Sequence, residues 1–401
     1  MEKVVIIGGG YAGIYALREL VKNKNIQITL IDKHTFHNLQ PEVYDLIANK
    51  SNIADVTIDL MTLCIGLNHD YLEYKNLKVR HIDKDAQKIY TEEKEIVKYD
   101  YLVMAAGART FFPPQISSID FAHDIKKLHW AMYFKQNFEN QLFEKIRDEA
   151  KACADTHIVV VGAGLSGVKI AAEMAYNSNK FFKRGNFACD NLKISLISSS
   201  DTILPGLSQS LINISRRRLK SLGIKIITNT KLMGTEEGYA NLSNGTKISH
   251  SFLIFTGGIE ASKIKGLEDF KTNGRGQIIV NDYLQVPDHK NIFAIGDFAE
   301  IKNAEGELMP PNVTIARISG INAGKSIVNM IADRGLIHNK PKLDGILIAL
   351  GGKYAAGNLF GLVNVKGRIA YEIKRYVFSS YKKPLLKLIK TGYKKLRNLE
   401  E

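Results

Sequence analysis

The stretch that most constrains this chain is 3–32. An apolar run, Val4 to Ile7, meets Gly8, Gly9 and Gly10, then Gly13, then an apolar-periodic segment through Ile14, Leu17 and Leu20. The spacing predicts a strand, a tight turn and a helix. Gly8 permits the turn, Gly10 lets the backbone approach a diphosphate, and Gly13 lets helix and strand pack closely. The helix N-terminus then offers free N–H groups and a positive dipole end to phosphate oxygens. A second strand, Ile26 to Ile31, ends on Asp32, 19 residues past Gly13 and followed by Lys33. A carboxylate at that place accepts from a ribose hydroxyl. Glycine-rich turns also arise for packing alone, but here strand, helix, strand and acid follow in the order the fingerprint requires.

The pattern recurs 154 residues later. His157 to Val161 runs into Gly162, Gly164 and Gly167, then a helix, then a strand from Lys193 to Ile197. Two copies of one nucleotide-binding unit imply two dinucleotides, one per unit. The fold class expected is α/β, with two Rossmann-like dinucleotide-binding domains and a C-terminal membrane-docking region. The second copy differs at its acid: Ser198 stands where Asp32 stands in the first, hydroxyls follow at Ser199 and Ser200, and Asp201 comes three positions late.

Further strands end in small residues, which implies close backbone approach to a ligand or another element. They are Tyr99 to Met104 before Ala105, Ala106, Gly107 and Ala108; Ser251 to Gly258; and Asn291 to Asp297, which closes on Gly296 and Asp297. A long helical region is expected over about 125–152. Pro310 and Pro311 then precede a helix from Val313 to about Ile331, a good start signal that aims a positive helix end at the strand tips. The loop after Asp32 carries His34 and His37 without a third ligand, so they read as ordinary loop histidines.

The charge is unevenly placed. Lys and Arg number 55 against 41 acids, a net +14, and 366–397 holds eleven basic residues against Glu372 alone. From Pro384, placed in a first helical turn, Leu385, Leu386, Leu388, Ile389, Tyr393, Leu396 and Leu399 gather on one arc and lysines fill the rest. This is the pattern of a helix lying in an anionic membrane interface, with Tyr376, Val377, Phe378 and Tyr381 as upstream anchors. The alternative is a terminal helix packed on the protein's own surface. No 18-residue apolar run exists: 345–363 comes closest, and Lys353, Asn358 and five glycines make it strands and turns. Cys64, Cys153 and Cys189 show no metal or redox spacing, which suits free thiols in a reducing compartment. The basic tail lacks aromatic interleaving over a groove-like domain, so a nucleic-acid partner is not expected.

Taken together, GGGYAGI, HNLQPEVYDLIA, YDYLVMAAGA, VVVGAGLSGVKIAAEMA, FTGG and NIFAIGDFAE resemble the two-dinucleotide-binding-domain flavoproteins, and within them the type II NADH:quinone oxidoreductases, over nearly the whole chain. The resemblance implies FAD on the first unit, with Gly8, Gly10, Gly13, Asp32, Lys33, Ala106, Gly107, Gly296, Asp297 and Val313 around it. It implies NADH or NADPH at Gly162, Gly164, Gly167 and Gly258. It implies electron transfer to a membrane quinone without proton pumping, at the cytoplasmic face of the cell membrane, with no metal and no acid–base dyad. A homodimer is compatible with it. The implied divisions are 1–115 and 266–332 for FAD, 116–265 for the nicotinamide dinucleotide and 333–401 for membrane association.

Four positions depart from that family's pattern: Ser198 for an acid, Lys169 for a glutamate, and Thr314 and Ile318 for two glutamines beside the quinone. Disulfide reductases need a redox cysteine pair near the first unit, and 32–49 has none. A sulfide:quinone oxidoreductase needs a late cysteine, and none follows Cys189. A flavin-binding signalling or assembly protein with weak turnover is the other class left open by Ser198 and Lys169.

Overall fold

A computed structural model describes residues 1–147, 155–184 and 192–398. The first glycine unit lies at the centre of a six-stranded sheet. Its strand Glu2–Ile7 is flanked in parallel by Ile26–Asp32 on one side and Tyr101–Met104 on the other. The full order runs Gln285–Val286, His289–Ala294, Tyr101–Met104, Glu2–Ile7, Ile26–Asp32, Leu72–Asn76. Val4, Ile6, Leu30, Leu102, Val103 and Phe293 are fully buried in it. Strands covered on both faces read as continuous apolar runs, which is why these segments show no alternation.

The second unit builds the same motif. Thr156–Val161 pairs in parallel with Leu192–Ile197 and with Phe252–Phe255. The sheet order is Ala122–His123, Phe252–Phe255, Thr156–Val161, Leu192–Ile197, Lys225–Ile227. The helix Leu128–Arg147 leads toward this unit, and the rest of the helical expectation up to 152 lies outside the described residues. Cys153 and Cys189 also lie outside them, while Cys64 is a buried free thiol.

Helix Val313–Ile331 has the bounds expected and is capped by Asn312, whose side chain accepts from the Ile315 N–H at 3.0 Å. It packs backbone to backbone on the helix Tyr11–Leu20. A Cβ at Gly320 would meet the Ala12 carbonyl oxygen at 2.2 Å, and one at Gly324 the Ala16 carbonyl at 2.8 Å. Small residues thus hold the two helices parallel and in close contact, with the Val313 end running past the start of the other helix.

The C-terminal region is a three-stranded antiparallel sheet, Gly345–Ala349, Ala355–Leu359 and Val363–Lys366, followed by one helix, Gly367–Arg397. Strands and turns over 345–363 are as expected; the helix start is not. Pro384 lies in the helix interior, not in a first turn. An interior proline removes a backbone hydrogen bond and normally kinks a helix. Here anchors on both sides hold the helix through it: Tyr381 donates or accepts at His37 Nε2 at 2.8 Å, and Leu385 is fully buried.

That helix spends much of its apolar face on the protein itself. Leu385 is buried, and Leu388 and Ile389 pack against the first-unit core, beside the helix Leu60–Leu67. Glycines make the contact close: a Cβ on Gly66 would meet the Leu388 carbonyl at 2.0 Å, and one on Gly392 the Thr62 carbonyl at 2.1 Å. Tyr381 is likewise buried and is no interface anchor. Leu399 lies outside the described residues.

Candidate functional site: two glycine turns and the charged junction between them

The two glycine turns match atom for atom. Gly8 has φ +108° and Gly162 has φ +102°, a region that favours glycine. A Cβ on Gly8 would lie 2.3 Å from the Ala105 carbonyl oxygen, and one on Gly162 2.7 Å from that of Thr256. Gly13 and Gly167 each leave only 1.8 Å between such a Cβ and the carbonyl oxygen of Gly8 or Gly162. Gly10 and Gly164 face open space, with nothing within 4 Å. First and third glycines are therefore dictated by packing, and the middle one by room for something outside the chain. That open cradle at a helix N-terminus fits a dinucleotide diphosphate in both units.

Around the first turn, Asp32 accepts from the Gly9 N–H at 2.6 Å and from the His34 N–H at 2.8 Å. Burial nevertheless raises its carboxyl above the usual range, against the pull of those two N–H groups. Lys33 is exposed at its side. Gly107 turns with φ +65°, and Ser262 ties down the neighbouring backbone, its hydroxyl donating to the Ala106 carbonyl at 2.9 Å. Gly296 opens the short 3-10 turn Gly296–Phe298, and its N–H donates to Ser319 Oγ at 3.1 Å. The strand expected to end at Asp297 stops at Ala294, so Asp297 projects from the turn. Burial raises the Asp297 carboxyl, offset by Lys126. Lys126 was not singled out from the sequence. Its amine is lowered by burial, with Asp297 and Asp124 opposing.

Around the second turn, Thr256 Oγ1 donates to the Val161 and Gly162 carbonyls, each at 2.9 Å, locking the turn from beneath. Gly258 follows on the strand Phe252–Phe255 with φ +150°. Ser198 does not offer a free hydroxyl. It is buried, donates to the Thr202 carbonyl at 2.7 Å and accepts from the Ser200 N–H at 3.3 Å. This loop also receives Arg216 from the next helix, Nη2 donating to Thr202 Oγ1 at 3.0 Å. A basic residue thus reaches the loop from 14 positions downstream of Thr202, where local sequence gives no sign of it.

Between the turns lies the helix Gln40–Ile47. Tyr44 on it bonds Ser166 of the second turn through their hydroxyls at 2.9 Å. Lys169, also from the second unit's helix, donates to the Pro41 carbonyl, stands 3.3 Å from Asp45 and lies over the Tyr44 ring. Lys50 bridges Asp45 at 3.4 Å and Glu173 at 3.0 Å, and Glu173 accepts from the Gly352 N–H at 3.2 Å. Close by, Tyr11 Oη, Asn38 Oδ1 and Gln40 Nε2 are buried with no hydrogen-bond partner. Buried polar atoms are nearly always paired, so these three without a partner are exceptions among the described residues. His37, buried and pushed down to about 3, is neutral there.

Residues 2–320 match the pyridine nucleotide-disulphide oxidoreductase family. A type II NADH:quinone oxidoreductase of Haemophilus influenzae is 25% identical, covering 92% of this chain and 91% of its own. One from Staphylococcus aureus is 26% identical, covering 90% of each. In structure, Plasmodium falciparum NDH2 in complex with NADH superposes with a TM-score of 0.85 at 20% identity, over 98% of this chain and 96% of its own. The sulfide:quinone oxidoreductase of Aquifex aeolicus gives 0.77 at 19% identity, over 98% and 92%.

Proposed function

Because the chain belongs to the pyridine nucleotide-disulphide oxidoreductase family, we propose that it is an FAD-dependent NADH:quinone oxidoreductase. The observation that carries the reading is the pair of sterically matched turns, each with an open middle glycine at a helix N-terminus. FAD would rest on Gly8, Gly10 and Gly13, with Asp32 and Lys33 at its ribose end and Ala106, Gly107, Gly296, Asp297 and Val313 along its length. NADH would rest on Gly162, Gly164, Gly167 and Gly258. The division into 1–115 with 266–332, 116–265 and 333–401 follows from that assignment. FAD supplies the two-electron chemistry, accepting a hydride equivalent from the nicotinamide and passing electrons to the quinone.

The chain's own contribution is orientation and charge. The first turn of the Val313–Ile331 helix lies beside Gly296, where Ala316 Cβ would stand 3.7 Å from a Cβ on that glycine, and such a dipole end favours negative charge by about 0.3–1 kcal/mol. Tyr44 and Ser166 hold the two units in one register. Nothing along 32–49 provides a redox cysteine pair, so the disulphide chemistry in the family's name has no groups there to carry it.

Docking on a membrane surface is part of the proposal, through the residues of the expected face that stay exposed together with a neighbouring hairpin tip. Among the described residues no helix is long and apolar enough to cross a membrane. With Leu385 packed inward, the exposed apolar set is Phe360, Leu362 and Val363 at a hairpin tip and Ile369, Tyr376, Val377, Leu386 and Tyr393 on the helix, Leu362 being 84% exposed. Lysines 383, 387, 390 and 394 accompany them along the helix. The test is an anaerobic cycle with vesicles present. Purified protein should be yellow, release FAD on denaturation, lose its flavin absorbance with NADH and regain it with a quinone. It should float with anionic vesicles at low salt, and Leu362→Glu/Tyr376→Glu should remain in solution. A colourless protein that FAD does not reconstitute overturns the assignment.

A further inference from the structure

Ser198 occupies the place of Asp32, and a guanidinium reaches its loop from a separate helix. Strand register fixes the equivalence: Ile7 pairs with Ile31, and Val161 pairs with Ile197. In both units the first glycine's N–H donates to that strand-end carbonyl, Gly8 to Ile31 at 2.8 Å and Gly162 to Ile197 at 2.9 Å. The next residue is therefore Asp32 in one unit and Ser198 in the other, each where the adenosine ribose of a dinucleotide lies.

We propose that Arg216 receives a 2′-phosphate at the second turn, so that this site takes NADPH as well as NADH. The proposal rests on the reading of the second turn as the donor site and adds a substrate to it.

Placement carries the first part of the argument. The loop after Ser198 folds back on the glycine turn, the Leu204 N–H donating to the Ala163 carbonyl at 2.8 Å, next to the open Gly164. Arg216 reaches this loop from the helix Gln209–Ser221, through its bond to Thr202, whose own carbonyl accepts from Ser198. Its two neighbours go elsewhere. Arg217 is exposed and donates to the Asn213 carbonyl at 3.4 Å. Arg218 turns to the C-terminal sheet, where it donates to the Leu350 carbonyl at 3.0 Å and lies over the Tyr354 ring.

Charge carries the second part. A carboxylate at the strand end accepts from a free 2′-hydroxyl and repels a 2′-phosphate, and Ser198 removes that repulsion. From Leu192 to Lys231 the chain holds seven Lys and Arg (193, 216, 217, 218, 220, 225, 231) against one acid, the exposed Asp201. The helix that carries Arg216 has no acid, and neither has the adjacent strand Lys225–Ile227 with its continuation to Lys231. Arg216 itself is half-buried, and its recorded bond is to a neutral hydroxyl; no carboxylate pairs with it among the described residues. A guanidinium withdrawn from water without a counter-ion favours an anion, and its planar fork of donors matches phosphate oxygens. The 2′-phosphate takes no part in hydride transfer, so it changes how the donor is held and not the bonds that form or break.

The experiment uses the FAD-loaded full chain and its Arg216→Gln variant, each mixed with NADH or NADPH in the absence of oxygen. Both donors should bleach the wild-type flavin. Arg216→Gln should raise the half-saturating NADPH concentration by about 10- to 100-fold, the scale of hydrogen bonds to a charged group, and leave that for NADH unchanged. Independently of turnover, calorimetry on the wild type should show adenosine 2′,5′-bisphosphate binding about tenfold more tightly than 5′-AMP. Added salt should shrink that advantage. The calorimetric comparison decides the matter if Arg216→Gln does not fold. A wild-type flavin that NADH reduces and NADPH does not, equal weakening of both donors in Arg216→Gln, or equal affinity for the two nucleotides each overturns the proposal. Failure of both donors to reduce the wild-type flavin would instead overturn the parent reading.

Discussion

The first and second glycine units share a backbone and differ in one side chain's behaviour. In both, the outer glycines are forced by a carbonyl oxygen under 3 Å from where a Cβ would stand, and the middle one faces open space. At the end of the second strand they part. Asp32 keeps a carboxylate beside its turn, fastened to Gly9 and His34, whereas Ser198 spends its hydroxyl inside its own loop. Glycine spacing decides that a dinucleotide can lie there; the side chain at the strand end decides how its ribose is held.

The largest effects should break the shared part equally. Gly13→Val and Gly167→Val each drive a side chain into a carbonyl at 1.8 Å. Each should cost more than about 4 kcal/mol, read as loss of soluble protein or a collapse of the urea midpoint. Gly10→Val has nothing to clash with inside the chain. It should fold with the urea midpoint of the FAD-free wild type and purify colourless, because the added side chain fills the diphosphate cradle.

Smaller effects sharpen the difference. Asp32→Ala should weaken FAD binding by about 10- to 100-fold, as expected for hydrogen bonds to a charged group worth roughly 1.5–3 kcal/mol. Fluorescence of released flavin measures it. Ser198→Ala should cost about 1 kcal/mol of stability, one internal hydrogen bond, and leave NADH affinity unchanged. The first unit is also the one that the C-terminal helix closes, through His37 and Tyr381. His37 is pushed from 6.5 to about 3 by burial, so the unfolded chain binds a proton there before the folded one does. Stability should fall between pH 6.5 and 3 with a slope of up to about 1.4 kcal/mol per pH unit from this group, and His37→Gln should flatten it.

What could be read from the chain was what depends on near neighbours. Glycine spacing and apolar runs gave both turns, their strands and the Val313–Ile331 helix. What escaped depends on distant residues. Pro384 reads locally as a helix start, yet Tyr381 and Leu385, anchored in the first unit, carry the helix through it. The leucine arc reads as a membrane face because its partner helix, Leu60–Leu67, lies more than 300 residues earlier. Lys169 reads as an isolated departure from a family pattern; in space, Asp45 and Glu42 stand opposite it.

The central claim is that the two turns hold different dinucleotides, and one stopped-flow comparison tests it most directly. Wild-type protein and Gly164→Val, both loaded with FAD, are mixed with NADH in the absence of oxygen. The open space at Gly164 lets the variant fold and keep its flavin. The wild-type absorbance should bleach and that of Gly164→Val should not, at FAD contents that match. Equal bleaching in the two would mean that the second turn is not where NADH binds.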